Sequence, residues 1–423
     1  MKKIITFCIS ITCSIFCFSQ KIEFNLSGFA NSEYNLTLFR GEYSDTVAQG
    51  KISAEGKLTF TMPERYANYC GLMRFAAKGS AWNFIINNDD FSVEEVNGNL
   101  IIRQSVENEA FISRQNQIQN LAAKSKYLYD GIALFADNSE FAGTLKAEFN
   151  NTNSQYVSLR KELTLCKLYA CRYLEISEFV NGYADRLFLP SEKKQNYAAL
   201  LTFFTDSLII DNLYTSGLYA KVFSTALKLF KSTEEFGKVM IKKLQQTRSD
   251  IIFRNFADDL MFRCQHNSWA DAEDMLAEYL LNCNRLEQNS FAFQYSSEVL
   301  KGKIGSKAHH INGLKSLKNT LLLFYETDCP HCKIQISEFI KYYPQLQNKN
   351  IQTVSISSDL DRSLYEETAK TFLWKNKFCD FKGFEGEVFK SYGVTGTPTI
   401  FYIDKNEKIA GRYSKLKNTK LLD

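Results

Sequence analysis

Cys329 and Cys332 lie three positions apart in the stretch FYETDCPHCKIQISEF, directly after an apolar run. Such a pair can clip a metal, staple the chain or exchange thiols. A structural zinc needs four ligands, usually a second CxxC or a histidine pair, and downstream there is only the isolated Cys379. A disulfide closing so short a loop constrains little of the unfolded chain. The spacing therefore favours a reactive dithiol. LLLFYE, from Leu321 to Glu326, suits a strand buried on both faces, and KIQISEFIKYYPQL places Ile334, Phe339 and Ile340 among its apolar positions, so the cysteines open a helix. At a helix start the dipole and the unpaired N–H groups stabilise a thiolate. Cys329 is expected to be the exposed nucleophile. Pro330 fits the first turn, where a missing N–H is no loss, and Cys332 sits one turn along, within bonding reach. A charged His331 would add to the stabilisation and Asp328 would oppose it.

The elements that must hold this pair follow in order. After the helix come a strand, TVSISS, a helix, RSLYEETAKTFLW, a loop, YGVTGTPT, a strand, TIFYID, a turn at Lys405-Asn406 and a last strand, KIAGRY. This alternation of βα units closing on a hairpin predicts a C-terminal α/β thioredoxin-like domain over residues 304–423, expected to fold and exchange thiols alone.

With Cys329-Pro330-His331-Cys332 and the later dipeptide Thr397-Pro398 both in place, residues 304–423 resemble the thioredoxin superfamily, specifically the exported TlpA/ResA-like thiol-disulfide oxidoreductases. The resemblance implies that Pro398 is the cis-proline packed against the CxxC and that Thr397 offers its backbone to a client strand. It implies an enzyme without cofactor or metal, acting on disulfide-containing client proteins and re-reduced by an upstream membrane or periplasmic electron donor. It favours reduction over oxidation, but CPHC is also the context of the oxidant DsbA, so a disulfide-forming oxidase stays open, as does a binding or assembly module with a vestigial dithiol. A peroxidase would need a Pro-x-x-x-Thr-x-x-Cys context; Thr327 stands two residues before Cys329 and no such proline precedes it. Three positions depart from the family: Leu323 replaces a buried Asp, Gln335 a frequent Glu, and Asp328 the aromatic before the first cysteine. Proton transfer at Cys332 is then left to water or to another carboxylate, Glu326 or Glu338. The last segment, SKLKNTKLLD, is short for the closing helix of the fold.

The preceding chain divides by pattern. Residues 21–106 alternate apolar and polar in short segments (IEFNLSG, YNLTLFRG, KLTFTM, WNFIIN, FSVEEV), with turn residues such as Asn97-Gly98 between some of them, predicting an antiparallel β-sandwich or barrel whose Trp82 and Phe84 are core. Residues 107–300 show helical spacing, as in Phe253, Phe256, Leu260 and Cys264, and predict a helical middle domain with helix starts at Pro190-Ser191 and before Trp269, capped by Asn267-Ser268. Near the linker, His309 and His310 are adjacent and would point to opposite faces of a strand, which argues against a shared ion. A looser resemblance, to long thioredoxin-like proteins of Bacteroidota, implies this architecture and nothing about its chemistry.

The net charge of +4, from 51 basic and 47 acidic residues without a one-sign run, gives no reason to expect a nucleic-acid partner. The first 20 residues, MKKIITFCISITCSIFCFSQ, read as a secretory signal peptide, too short and too mixed for a stable membrane span, which predicts a periplasmic or cell-envelope location. Eight of the eleven cysteines lie beyond it. An oxidising compartment permits disulfides, yet Cys166 and Cys171, read as one continuous helix, would stand roughly 8–9 Å apart at their α-carbons, beyond bridging range. Those two, with Cys264, Cys283 and Cys379, are expected to be buried free thiols; Cys379 could alternatively be a third redox thiol.

Overall fold

The computed structural model describes residues 20–135, 139–182, 193–267 and 269–422. The predicted signal peptide apart from Gln20, the helix start at Pro190-Ser191 and Ser268 of the expected Asn267-Ser268 cap fall outside them; Asn267 instead ends the helix Asp250–Asn267, and Trp269 is the N-cap residue of the next. The described chain forms two compact units: residues up to Leu208 with Asn212–Thr225, and Ile209–Asp211 with everything from Ala226 onward.

The first unit begins with eight strands, β1 (Lys21–Asn25), β2 (Glu33–Arg40), β3 (Tyr43–Lys51), β4 (Lys57–Thr61), β5 (Cys70–Ala77), β6 (Ser80–Asn87), β7 (Phe91–Val96) and β8 (Asn99–Arg103). They make two four-stranded sheets, ordered β4-β1-β7-β8 and β3-β2-β5-β6. Phe24 and Val93 from one sheet and Leu36, Phe75 and Phe84 from the other share one buried cluster, the interior of a sandwich. Pairing is antiparallel except between β1 and β7, which run parallel. The alternating pattern reveals which face is buried and leaves pairing direction open, so an all-antiparallel reading needs this one correction. Asn97 and Gly98 both take positive φ, 53° and 78°, as the tight β7–β8 hairpin requires.

Helices follow: α1 (Val106–Leu134), α2 (Ser139–Leu165), α3 (Tyr169–Val180), α4 (Lys193–Thr202), α5 (Ile210–Tyr214) and α6 (Tyr219–Ala226), then α7 (Thr233–Gln246), α8 (Asp250–Asn267), α9 (Ala270–Asn282) and α10 (Phe291–Val299). The stripe Phe253, Phe256, Leu260 and Cys264 on α8 is wholly buried, as its spacing demands. One expectation fails here: Cys166 and Cys171 form a disulfide, with α-carbons 6.1 Å apart. The helix assumed to run through both ends at Leu165 and restarts at Tyr169. Arg172 donates to the carbonyls of Leu163 (2.8 Å), Thr164 (2.9 Å) and Cys166, taking up the free end of α2 and letting the chain turn back into bridging range.

The C-terminal part of the second unit is a five-stranded sheet ordered β11-β10-β9-β12-β13. Its strands are β9 (Thr320–Tyr325), β10 (Gln352–Ser357), β11 (Asn376–Cys379), β12 (Thr399–Ile403) and β13 (Ile409–Tyr413), with helices α11 (Pro330–Asn348), α12 (Arg362–Lys370) and α13 (Glu387–Ser391) between them. β9, β10 and β11 are parallel, while β12 and β13 are antiparallel additions. Every residue of β9 is buried, because sheet side chains alternate between two apolar layers, one around Phe324 and Phe401, the other around Leu323, Phe339 and Trp374. After β13 the described residues form a single 3-10 turn, Leu416–Thr419; the carbonyls of Leu421 and Leu422 accept from Lys349, just after α11, and from Gln345 on α11.

Candidate active site at the start of helix α11

The chain leaves the central strand β9 and enters α11 through Thr327, Asp328 and Cys329. Asp359, a buried carboxylate after β10, fixes this passage: it accepts from the Thr327 amide at 2.9 Å, the Thr327 hydroxyl at 2.6 Å and the Ser357 hydroxyl at 2.5 Å. Cys329 is the N-cap residue, with Pro330 at the first helical position. Its sulfur accepts the Cys332 amide at 3.3 Å and points its S–H at the Thr397 carbonyl, 3.7 Å away. An anionic sulfur here would keep the amide bond and gain from the helix dipole. Cys329 is half-buried and Cys332 fully buried; neither is bonded to another cysteine. Burial first, then the neighbouring Cys329 thiol, push the Cys332 thiol up to about 12. The pair is therefore unequal.

The Thr397-Pro398 peptide is cis and brings the Thr397 carbonyl to the dithiol from the loop before β12. His331 is exposed on the first turn of α11. Asp328 is also exposed, 3.8 Å from the Lys333 ammonium, so its charge is screened by solvent and partly balanced. Leu323 is buried in the apolar layer beside Cys332, and the Gln335 side-chain carbonyl accepts the Leu416 amide at 2.8 Å. Neither position supplies a carboxylate. Glu326 is exposed, whereas one carboxylate oxygen of Glu338 is buried without a hydrogen-bond partner. Cys379, at the end of β11, is half-buried; its thiol donates to the Asp359 carbonyl at 3.3 Å, and burial pushes its pKa up.

Two contributors escaped sequence reasoning. Asp359 follows a strand in SSD, where nothing marks it as the anchor of a loop thirty residues earlier. Gln265, at the end of α8, donates to the Thr395 hydroxyl at 3.4 Å and lies against Gly396. With His331, Thr397 and Pro398 it lines a cavity of about 650 Å3 beside the dithiol. No local pattern could have connected it to a loop 130 positions later.

Residues 300–412 match the AhpC/TSA family. Two curated relatives, the thiol-disulfide oxidoreductases ResA of Bacillus thuringiensis subsp. konkukian (strain 97-27) and Bacillus cereus (strain ATCC 10987 / NRS 248), are each 29% identical over 92 residues, 22% of this chain and 52% of theirs. The chain thus spans about half the length of the curated relatives it matches. Among solved structures, a thiol-disulfide oxidoreductase from Bacteroides fragilis NCTC 9343 is 27% identical over 26% of this chain and 84% of its own, with a TM-score of 0.23. A thioredoxin-like protein from Bacteroides caccae ATCC 43185 is 14% identical over 59% of this chain and 91% of its own, with a TM-score of 0.35.

Proposed function

We propose that this chain, whose residues 300–412 match the AhpC/TSA family and which is similar to ResA thiol-disulfide oxidoreductases, is an exported TlpA/ResA-like thiol-disulfide oxidoreductase that reduces disulfides of client proteins. The observation carrying this reading is the Cys329 sulfur at a helix N-cap, between the Cys332 amide and the Thr397 carbonyl. The Cys329 thiolate attacks one client sulfur, forming a mixed disulfide and expelling the other client sulfur as a thiolate, which takes up a proton. Cys332 then loses its proton and attacks the Cys329 sulfur, releasing the second client thiol. Two electrons pass to the client and the protein is left with a Cys329–Cys332 disulfide, which an upstream donor must reduce. Pro330 starts the helix, Pro398 holds the Thr397 backbone beside the sulfur, and His331 flanks the client's approach.

Export is supported by the Lys2-Lys3 head and apolar run and by the Cys166–Cys171 bridge, a bond suited to an oxidising compartment. Among the described residues no helix is long and apolar enough to cross a membrane. The test is the reduction potential of the Cys329–Cys332 couple together with reduction of an insulin-type disulfide. A potential near that of cytosolic thioredoxin, about −270 mV, fits a reductase. A value near −120 mV would assign the oxidising direction instead. No turnover at all would leave a binding module with an idle dithiol.

A further inference from the structure

Helices α8 and α10 grip the loop that carries Thr397 and Pro398. Gly393, where the loop begins, has a φ of 61°, and a Cβ there would collide with the Glu298 carbonyl of α10. Gly396 lies against Gln265 of α8, whose side-chain nitrogen is 3.4 Å from where a Cβ would stand. Between these two points the Thr395 hydroxyl accepts from the same Gln265 amide at 3.4 Å. It also bonds to the phenol of Tyr295 on α10, opposing the rise that burial and Glu273 impose on the Tyr295 pKa. A hydroxyl has one proton to give and lone pairs to receive, so Thr395 is used in both directions.

The far end of this chain of bonds is anchored. The Tyr295 hydroxyl donates to Glu273 of α9 at 2.6 Å, and Arg412 of β13 holds Glu273 and Asp274 at 2.7 Å each. Tyr295, Glu273 and Asp274 are buried, where such bonds strengthen one another. The near end reaches the dithiol. Two residues past Thr395, the Thr397 carbonyl faces the Cys329 S–H at 3.7 Å, and the Thr397 side chain bonds to the Cys332 sulfur. Only the reduced pair has that S–H to donate; in a Cys329–Cys332 disulfide the carbonyl meets a sulfur without a proton. Whatever holds the carbonyl in place therefore stabilises the reduced form against the oxidised one.

We propose that Gln265 and Tyr295 are positioning residues for Cys329: acting through the Thr395 hydroxyl, they fix the Thr397 carbonyl against the sulfur and so bias the couple toward the dithiol. This rests on the oxidoreductase reading above and gives the helices before residue 304 a part in setting its redox poise. A couple biased toward the dithiol is a stronger oxidant than the same two cysteines beside an untethered loop. Residues 304–423 contain Thr395 and Thr397 but neither of the two partners that hold them.

The test is the equilibrium of the full mature chain with glutathione, in which protein dithiol and glutathione disulfide exchange for protein disulfide and two glutathione thiols. It is read by mass spectrometry of the peptide carrying Cys329 and Cys332. Thr395→Val keeps the branched shape and removes the hydroxyl, and because Thr395 is exposed the change leaves the core untouched. Water competes for an exposed hydroxyl and a thiol is a weak donor. The expected effect is therefore small for a hydrogen bond, about threefold in the equilibrium constant toward the disulfide, or about 14 mV more negative. Thr395→Ser is expected to restore the wild-type value. Gln265→Leu combined with Tyr295→Phe removes both partners and leaves Thr395 in place; it is expected to give the same shift, and adding Thr395→Val no more. A loss of stability common to both redox states leaves the potential where it was, and Thr395→Val decides alone if the double variant folds poorly. An unchanged or more positive potential in Thr395→Val, no rescue by Thr395→Ser, or shifts that add would overturn the assignment. So would a shift in Thr395→Val that a folded double variant does not reproduce. If the wild-type pair never forms its disulfide with glutathione, the oxidoreductase reading falls and the tether with it; normal exchange with no shift among the variants sinks the tether alone.

Discussion

The two sulfurs of the dithiol differ in burial, and this sets their chemistry. Cys332 has its pKa raised by burial and by Cys329 from the ordinary thiol value to about 12. The folded, reduced protein therefore holds this proton more tightly than the unfolded chain does. The stabilisation is fully present below the unfolded thiol value, near 9, and is lost as pH rises toward 12. Two outcomes follow. Iodoacetamide at pH 8 is expected to label Cys329 and spare Cys332, as read by peptide mass spectrometry; comparable labelling of both would contradict the asymmetry. Thermal melting of the reduced protein is expected to fall between pH 9 and 12 more steeply than that of Cys332→Ser. Asp359 fixes the loop that leads into Cys329. Asp359→Ala strips three donors of their acceptor, two of them on Thr327, and is expected to cost about 2–3 kcal/mol in urea unfolding and to slow client attack. A change under about 0.5 kcal/mol would mean that other contacts hold the loop.

At the scale of elements, the turn between α2 and α3 is closed by a bridge that helical spacing had seemed to forbid. Cys166→Ser is expected to lower stability by about 2 kcal/mol, the loop-entropy value for so short a span, and to raise the free-thiol count of a denatured titration by one, because Cys171 loses its partner. If wild type already shows both thiols free, the bridge does not form. The miss has a physical source. No Gly or Pro marks the break after Leu165, and what ends α2 is a guanidinium supplied from α3, Arg172, which only the folded chain brings there. The same reasoning separates the rest of what was legible. β9, α11 and the hairpin of β12 and β13 could be read because burial on two faces, a cysteine-proline helix start and a period of two are local signals. β11 could not, since its four half-buried residues, Asn376–Cys379, carry no such pattern. Nor could β3, β5 and β8, whose strand character depends on their partners in the two sheets. Cys329, Cys332 and Pro398 announced themselves by motif, whereas Asp359, Gln265 and Arg412 act through partners distant in sequence.

For the whole molecule, the compact unit holding the dithiol begins well before residue 304. Arg412 finds its carboxylates on α9 and a carbonyl at Gly302, all outside the segment 304–423. Burial alone would lower its pKa, but Glu273 and Asp274 more than offset this and hold it above the ordinary value. Arg412→Ala leaves two carboxylates buried without their cation and is expected to destabilise the unit by about 3–5 kcal/mol. By the same contacts a fragment of residues 226–423 is expected to melt higher than one of residues 304–423, by circular dichroism; equal midpoints would show that the shorter segment is self-sufficient. The central claim is a division of labour between two sulfurs, and trapping tests it most directly. In Cys332→Ser the attack by Cys329 proceeds but the release does not, so clients are expected to accumulate as adducts on gels that vanish under reductant, with mass spectrometry locating the bond at Cys329. Cys329→Ser is expected to trap nothing. Adducts attached to Cys379, or a Cys332→Ser protein that frees its clients at the wild-type rate, would contradict the account.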